Sequence, residues 1–210
     1  KEDIPNNDIT TIATVASNKS MSAQIIAEES CIFSGNNIIH HFYPNCKVEI
    51  LINDGEKVKS GQLIGIIKGN AKTILSNERI MLNLIQRLCG ISTYTNYYVK
   101  LVNNKIKILD TRKTTPGLRL FEKYAVTCGG GYNHRLDLSS GYLIKDNHLT
   151  TNQSISMIIN NIKKNPIHKP IEIEVDTIEQ IKQILPLNID GFLLDNMNSE
   201  LTKECVNIIK

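Results

Sequence analysis

The second half of the chain alternates short strand patterns with helix patterns, and this order restricts the fold more than any other feature. The strand patterns cover 106–109, 141–144, 171–175 and 191–194, and the helix patterns cover 117–128, 152–163, 178–185 and 199–209. Repeated strand–helix units of this length predict parallel strands joined by crossover helices. We therefore predict an α/β class for this half. Four strands cannot close a barrel and the chain ends on a helix, so we expect further strands to be missing after Lys210.

The first part of the chain, to about Gly69, has a different rhythm of strands and turns. A short amphipathic helix is expected near Ile38, with Ile39 and Phe42 on the same side. A long helix then follows, for which we predict Ser76 as the N-cap and a break near Gly90.

Polar side chains follow the predicted strands of the second half directly. They are Asp110-Thr-Arg-Lys, Lys145-Asp-Asn-His, Asp176 and Asp195-Asn. Because active sites of β/α barrels and open α/β sheets lie at the carboxyl edge of the strands, we expect the functional site there.

Basic residues are concentrated between Leu109 and His148, although the formal net charge of the 210-residue chain is only +3. A site that binds several anionic groups needs such a local concentration, because Arg offers a planar fork to carboxylate or phosphate and Lys a point charge. The cations of this segment are Arg112, Lys113, Arg119, Lys123, His134, Arg135 and Lys145.

Several of the candidate site residues, acidic as well as basic, allow two interpretations. Glu174 shares a strand face with Glu172, since side chains alternate with period two. With Asp195 it could hold Mg²⁺ through water or accept hydrogen bonds from sugar hydroxyls, or it could form an ion pair with Arg112 or Lys145. His134 is either a structural hydrogen-bonding residue or, beside Arg135, a contact for an anion or a ring.

The three glycines at 129–131 follow a helix instead of linking a strand to a helix, so they are not a dinucleotide-binding fingerprint. They let backbone approach a ligand or simply permit a tight turn.

Composition excludes some classes of function. With 41% hydrophobic and 21% charged residues of nearly balanced sign, the chain has no electrostatic footprint for nucleic acid or a membrane surface. The five cysteines are widely spaced without a CxxC pair, which favours reduced thiols and a cytoplasmic location. No apolar run approaches the roughly 18 residues that would span a bilayer.

Six ordered blocks of the sequence together resemble the quinolinate phosphoribosyltransferase family. They are Asn77-Glu-Arg-x-x-Leu-Asn, Asp110-Thr-Arg-Lys-Thr-x-Pro-Gly-Leu-Arg, Cys128-Gly-Gly-Gly-x-Asn-His-Arg, Leu143-Ile-Lys-Asp-Asn-His, Glu172-x-Glu-Val-Asp and Leu194-Asp-Asn. The resemblance implies an α+β open-faced sandwich joined to an incomplete α/β barrel. We place the sandwich, with the start of the linking helix, at 1–90 and the truncated catalytic barrel at 91–210.

The resemblance also implies an activity. Quinolinate and phosphoribosyl pyrophosphate would give nicotinate mononucleotide, pyrophosphate and CO₂ with Mg²⁺, in a step of NAD biosynthesis. Members of the family act as homodimers or higher oligomers in which a neighbouring subunit completes each active site.

Site residues carry over by position. Arg112, His134 and Arg135 would bind the carboxylates, and Arg79 would reach into the partner's site. Thr111 is a further expected substrate-binding residue, and Lys113 and Lys145 would lie near the reaction centre or the phosphates. Lys145, Glu174 and Asp195 are the expected catalytic residues, and the last two are also the expected contacts to Mg²⁺.

The sequence departs from the family pattern at three points. Asp137 stands where glycine is expected, which puts a negative charge close to Arg135. Cys89 stands where serine is usual, and the glycine-rich segments that bind the 5′-phosphate would lie beyond Lys210. Two alternatives therefore stay open: a paralogous enzyme that acts on another base, and a non-catalytic remnant that binds anions.

Overall fold

The structure is a computed structural model that describes residues 2–103, 105–149 and 154–210. The chain divides into two units, one ending at His134 and the other beginning at Arg135. In the first unit the elements are α1 (Ile9–Thr14), β1 (Ser20–Ile26), β2 (Cys31–Ile32), α2 (Asn36–Phe42), β3 (Lys47–Ile50), β4 (Lys57–Val58), β5 (Leu63–Asn70), α3 (Ala71–Leu101) and α4 (Arg119–Cys128).

An antiparallel sheet in the order β1-β5-β3 forms the first unit together with the helices that pack on it. Along β1 and β5 the apolar side chains reach a core that also includes side chains from α2 and α3. Phe33, Ile39, Tyr43 and Leu88 are almost completely inaccessible there. The expected short helix with Ile38 and Ile39 on its buried side is confirmed.

The long helix α3 starts earlier than the sequence suggested and does not break. Asn70 is its N-cap and accepts hydrogen bonds from Lys72 N (3.0 Å) and Thr73 N (3.3 Å). Ser76, the predicted cap, lies inside the helix, where its hydroxyl donates to Asp8 Oδ2 (2.9 Å). The predicted break at Gly90 is also wrong, because buried Leu88 and Cys89 keep this turn packed on the core. The domain boundary placed at residue 90 stays a prediction.

A parallel sheet in the order β6-β7-β8 forms the second unit. Its elements are β6 (Tyr142–Ile144), α5 (Asp146–Leu149), α6 (Ile155–Lys164), β7 (Ile171–Val175), α7 (Ile178–Ile184), β8 (Gly191–Leu194) and α8 (Ser199–Ile209). Ile171, Ile173 and Val175 form the buried face of the central strand, which packs on apolar side chains of the helices. The predicted α/β class is confirmed. Of the helix predicted from Asn152, the first two residues lie outside the described part of the chain.

The strand predicted at 106–109 is wrong. Within the described residues this segment forms a single parallel bridge, between Leu109 and Tyr132, and is not part of the β6-β7-β8 sheet. Ile106 and Leu109 are more than half exposed, so there is no buried face to support a regular strand. No helix in the described ranges has the length and hydropathy needed to cross a bilayer.

The three consecutive glycines are required by packing inside the first unit. A Cβ atom on Gly129 would lie 2.5 Å from Ser92 O, and one on Gly131 would lie 2.7 Å from a Val126 methyl carbon. Gly130 has φ +86°, a conformation that side chains disfavour. The segment therefore turns tightly against α3 and α4, and of the two interpretations of these glycines the tight turn accounts for their positions.

We predict opposite effects for two Gly→Ala substitutions. Gly129→Ala should lower the free energy of unfolding by about 1–3 kcal/mol, because its methyl group meets backbone that cannot move freely. Gly90→Ala places its methyl group in open space within α3 and should raise stability by about 0.5–1 kcal/mol. Urea unfolding of both variants checks the pair, and a stable Gly129→Ala protein would contradict the packing.

A polar connection joins α3, α4 and the segment between them. Arg87 Nε donates to Glu122 Oε1 (2.8 Å), and Thr115 N donates to Glu122 Oε2 (3.2 Å). Burial alone would raise the pKa of Glu122, but the hydrogen bonds from Arg87 and Thr115 outweigh it and lower the pKa. The carboxylate of Glu122 therefore fixes the C-terminal end of the 110–115 segment.

We predict that Glu122→Gln destabilises the protein by about 1–3 kcal/mol at pH 7, because charge-assisted hydrogen bonds are lost. A folded-state pKa below the ordinary value of 4.5 stabilises the fold above that pH, and the contribution is lost as pH falls through the folded value. The stability difference between wild type and variant should therefore shrink below about pH 4.5. Chemical denaturation between pH 3 and 7 tests this, and a pH-independent difference would refute it.

Candidate functional site

The segment that begins at Asp110 is held in one conformation by its own hydroxyl groups. Thr111 Oγ1 accepts a hydrogen bond from Lys113 N (3.0 Å), and Arg119 Nε donates to Thr114 Oγ1 (3.2 Å). Thr111 and Lys113 are exposed, whereas Arg112 is half-buried. The segment thus presents two cations from a constrained backbone.

Arg112 has an unsatisfied donor. Its Nε is buried and has no hydrogen-bond partner among the described residues. Buried polar atoms of folded proteins are nearly always paired, so an orphan of this kind calls for an explanation such as a ligand. Arg favours a bidentate geometry in which one carboxylate accepts hydrogen bonds from both the Nε–H and a terminal N–H of the guanidinium.

Lys123 does not belong to the ligand-binding cations with which the sequence grouped it. The side chain is buried and forms an ion pair with Asp110, whose side chain is also buried. Lys123 Nζ makes a further hydrogen bond to His134 O (3.1 Å). A buried ammonium must be paired, and here the partner is internal.

The same ion pair fixes the backbone at His134. His134 N donates to Asp110 Oδ1 (2.9 Å), so both backbone polar groups of this residue bind Asp110 or Lys123. With its side-chain amide oriented to donate, Asn133 reaches Asp110 Oδ2 (2.6 Å) and Lys123 O (2.9 Å). The structural interpretation of His134 therefore holds for its backbone, and the residue as a whole is half-buried.

Arg79 lies on α3 and is exposed. Its expected role in a neighbouring subunit's site stays a prediction.

In the second unit the expected catalytic residues do lie at the carboxyl edge of the sheet. Lys145 directly follows β6, Glu174 is near the end of β7, and Asp195 directly follows β8. A cavity of about 390 Å³ opens at this edge. It is lined by Asp146, Leu149, Glu174, Val175, Asp176, Gln180, Asp195 and Asn196.

Glu174 forms an ion pair with Lys145, which settles the partner that the sequence left open. The backbone N–H of Lys145 donates a hydrogen bond to His148 Nδ1 (3.0 Å). Glu172 and Glu174 lie on one face of β7, opposite its buried isoleucines, as predicted. The pair places a cation and an anion side by side at the cavity.

The carboxylates at this cavity are of a kind that could hold a magnesium ion. Mg²⁺ prefers oxygen ligands and commonly binds through one or two carboxylates, water and substrate phosphates. Glu174 and Asp195 provide such carboxylates. No group of three or more ligating His, Cys, Asp or Glu side chains occurs in the described ranges, so protein atoms alone form no closed cage there.

Asp137 acts on its own turn. Its Oδ1 accepts hydrogen bonds from Ser139 N (2.9 Å), Ser139 Oγ (2.7 Å) and Ser140 Oγ (2.8 Å). These hydrogen bonds lower the pKa of Asp137 to about 2, and the bond from the Ser139 side chain has the largest effect. Arg135 Nη1 donates to Gly141 O (3.2 Å) in the same turn region. The acidic departure from the family pattern is thus explained by local turn stabilisation.

Sequence reasoning missed some residues of the cavity lining. Asp146 and Asn196 were among the polar residues expected after strand ends, whereas Leu149 and Gln180 were not. Gln180 belongs to a capping box with Thr177 and accepts a hydrogen bond from Asp176 N (2.8 Å). The Thr-x-x-Gln pattern could have indicated this helix start.

Comparison with known proteins identifies the family of the chain. A family model for the quinolinate phosphoribosyl transferase N-terminal domain matches residues 8–89, and one for the C-terminal domain matches residues 91–210. The solved nicotinate-nucleotide pyrophosphorylase from Francisella tularensis is 40% identical with a TM-score of 0.90, and the match covers 99% of this chain and 75% of that one.

Two curated relatives show the same similarity. "Probable nicotinate-nucleotide pyrophosphorylase (carboxylating)" of Bacillus subtilis (strain 168) is 40% identical over 201 residues, which are 93% of this chain and 69% of that protein. "Quinolinate phosphoribosyltransferase (decarboxylating) 2b, mitochondrial" of Nicotiana tabacum is 34% identical over 99% of this chain and 63% of its own length. The chain thus spans about two thirds of these relatives, and it belongs to the quinolinate phosphoribosyltransferase family.

Proposed function

We propose that this protein transfers the phosphoribosyl group of phosphoribosyl pyrophosphate to quinolinate. The products are nicotinate mononucleotide, pyrophosphate and CO₂, and the reaction is a step of NAD biosynthesis. Membership of the family and the names of its relatives support the reaction class. The observation that carries the proposal is the buried, unpaired Nε of Arg112 in a constrained cationic segment.

In the first unit, Arg112 and His134 bind the carboxylates of quinolinate, and Thr111 and Lys113 lie beside them. Quinolinate carries two adjacent carboxylates, so the site must supply donors in a fixed spacing. A carboxylate that binds Arg112 in the bidentate geometry accepts two parallel hydrogen bonds, one of them from the otherwise unpaired Nε–H. Arg135, the first residue of the second unit, is the further cation assigned to the carboxylates.

In the second unit, the cavity at the carboxyl edge binds the ribose and its phosphates. Asp195 and Glu174 accept hydrogen bonds from sugar hydroxyls, and Lys145 carries the compensating positive charge. Glu174 and Asp195 would hold Mg²⁺ through water or substrate, and the ion would supply charge neutralisation for the departing pyrophosphate. The carboxylates also stabilise positive charge that develops on the sugar.

The reaction needs no covalent enzyme intermediate. The ring nitrogen of quinolinate forms the new bond to the anomeric carbon as the bond to pyrophosphate breaks. The cationic ring nitrogen then accepts the electron pair of the bond to the neighbouring carboxylate, which leaves as CO₂, and a proton takes its place on the ring. The protein contributes positioning and preorganised charge.

The proposal includes an assembly and a location. The protein acts in the cytoplasm as a homodimer or higher oligomer with shared active sites. The exposed position of Arg79 on α3 leaves its side chain accessible for the partner's site. The assigned catalytic domain is 91–210, and the sandwich domain is 1–90.

We predict that Arg112→Ala raises the KM for quinolinate roughly 100-fold, because a charged group bonded to a substrate carboxylate contributes about 3 kcal/mol. Arg112→Lys should recover part of the loss, since it keeps the charge but not the fork. Steady-state assays of pyrophosphate release with quinolinate as the varied substrate provide the measurement.

Lys68→Ala is the matched control, because it removes an exposed cation of β5 in the same unit. It should leave both kinetic constants unchanged. Turnover of nicotinate in preference to quinolinate would favour a paralogue acting on another base. Absence of turnover together with retained binding of pyrophosphate would favour a non-catalytic remnant that binds anions.

A further inference from the structure

In the ion pair of Asp110 and Lys123, Asp110 is next in sequence to residues assigned to substrate binding. Both side chains of the pair are buried, so neither is itself placed to contact a substrate. Lys123 is 2% exposed, and the Asp110 side chain is 6% exposed. Two acceptors, Asp110 Oδ1 and His134 O, already face Lys123 Nζ. Neither side chain is available to bind a substrate carboxylate in this arrangement.

The pair joins three segments of the first unit. Asp110 directly precedes Thr111 and Arg112, Lys123 lies in the middle of α4, and His134 ends the turn after the three glycines. Around the pair, Asp110 N donates to Tyr132 O (3.1 Å) and Tyr132 N donates to Ile108 O (2.8 Å). One buried charge pair thus fixes the backbone near Arg112 and the backbone at His134.

We propose that Asp110 and Lys123 are positioning residues that set the spacing between Arg112 and His134 and thereby determine the affinity for quinolinate. This inference rests on the proposed function. Two adjacent carboxylates fix the distance between their donors, and a shift of about 1 Å in a positioned group can reduce activity about 100-fold. The ion pair holds its donors because a buried charge cannot leave its partner without a large penalty.

The test compares Lys123→Met and Asp110→Asn in the purified protein. Each should raise the KM for quinolinate roughly 10- to 100-fold, while the KM for phosphoribosyl pyrophosphate changes little. A purely structural role would lower the active fraction, and so kcat, without changing either KM. Circular dichroism and thermal unfolding establish that each variant is folded, and Asp110→Asn serves if Lys123→Met does not fold.

Tyr124→Phe is the matched control. Tyr124 is adjacent to Lys123 in α4, and its hydroxyl donates to Asp54 Oδ2 in the turn between β3 and β4 instead of to Asp110 or His134. This variant should keep wild-type KM values for both substrates. Folded Lys123→Met and Asp110→Asn proteins with wild-type KM for quinolinate would overturn the inference.

Amide hydrogen exchange separates this inference from the proposed function. Loss of the ion pair should speed exchange at His134 N, which donates to Asp110, by at least about tenfold in either variant. That result is expected whether or not the wild-type protein turns over quinolinate. Absence of wild-type turnover would refute the proposed function, whereas unchanged exchange in both variants would refute the positioning role.

Discussion

A lysine ammonium that is removed from water must have an anion beside it, and in this chain that requirement organises the first unit's candidate site. Lys123 is buried in α4 and is neutralised by Asp110, which comes immediately before the cationic segment. Because Asp110 also accepts from His134 N, the charge pair fixes two separate loops relative to one helix. Of the residues assigned to substrate binding, Arg112 and His134 lie on the two loops that this interaction fixes.

The count of cations along the sequence overstates how many can bind a ligand. Lys123 is neutralised by Asp110 and Lys145 is paired with Glu174, so at least two of the seven cations have carboxylate partners within their own units. Arg112 is different, because its buried Nε has no partner among the described residues. The affinity for anions is therefore expected to depend on a few placed donors more than on the summed charge.

The parallel strands could be predicted because their pattern is local. Strand patterns such as the alternating Ile171–Val175, followed by helix patterns, specify β6, β7 and β8, and polar residues after strand ends located the cavity of the second unit. Glu172 and Glu174 share a face because alternation alone decides it.

Other features could not be predicted because they depend on tertiary contacts. Both Asn70 and Ser76 are good N-cap residues by type, but Asn70 caps α3 and the Ser76 hydroxyl donates to Asp8. The burial of Lys123 is not visible in a sequence, where a lysine among arginines looks like a ligand contact. The glycines at 129–131 are explained only by the approach of the backbone to α3.

A crystal structure with quinolinate bound tests the central claim most directly. We expect one carboxylate to accept hydrogen bonds from Arg112, including its Nε–H, while Lys123 stays bonded to Asp110 and His134 O. Quinolinate bound elsewhere, with Arg112 Nε still unpaired or with Lys123 turned away from Asp110 to contact the ligand, would contradict the account.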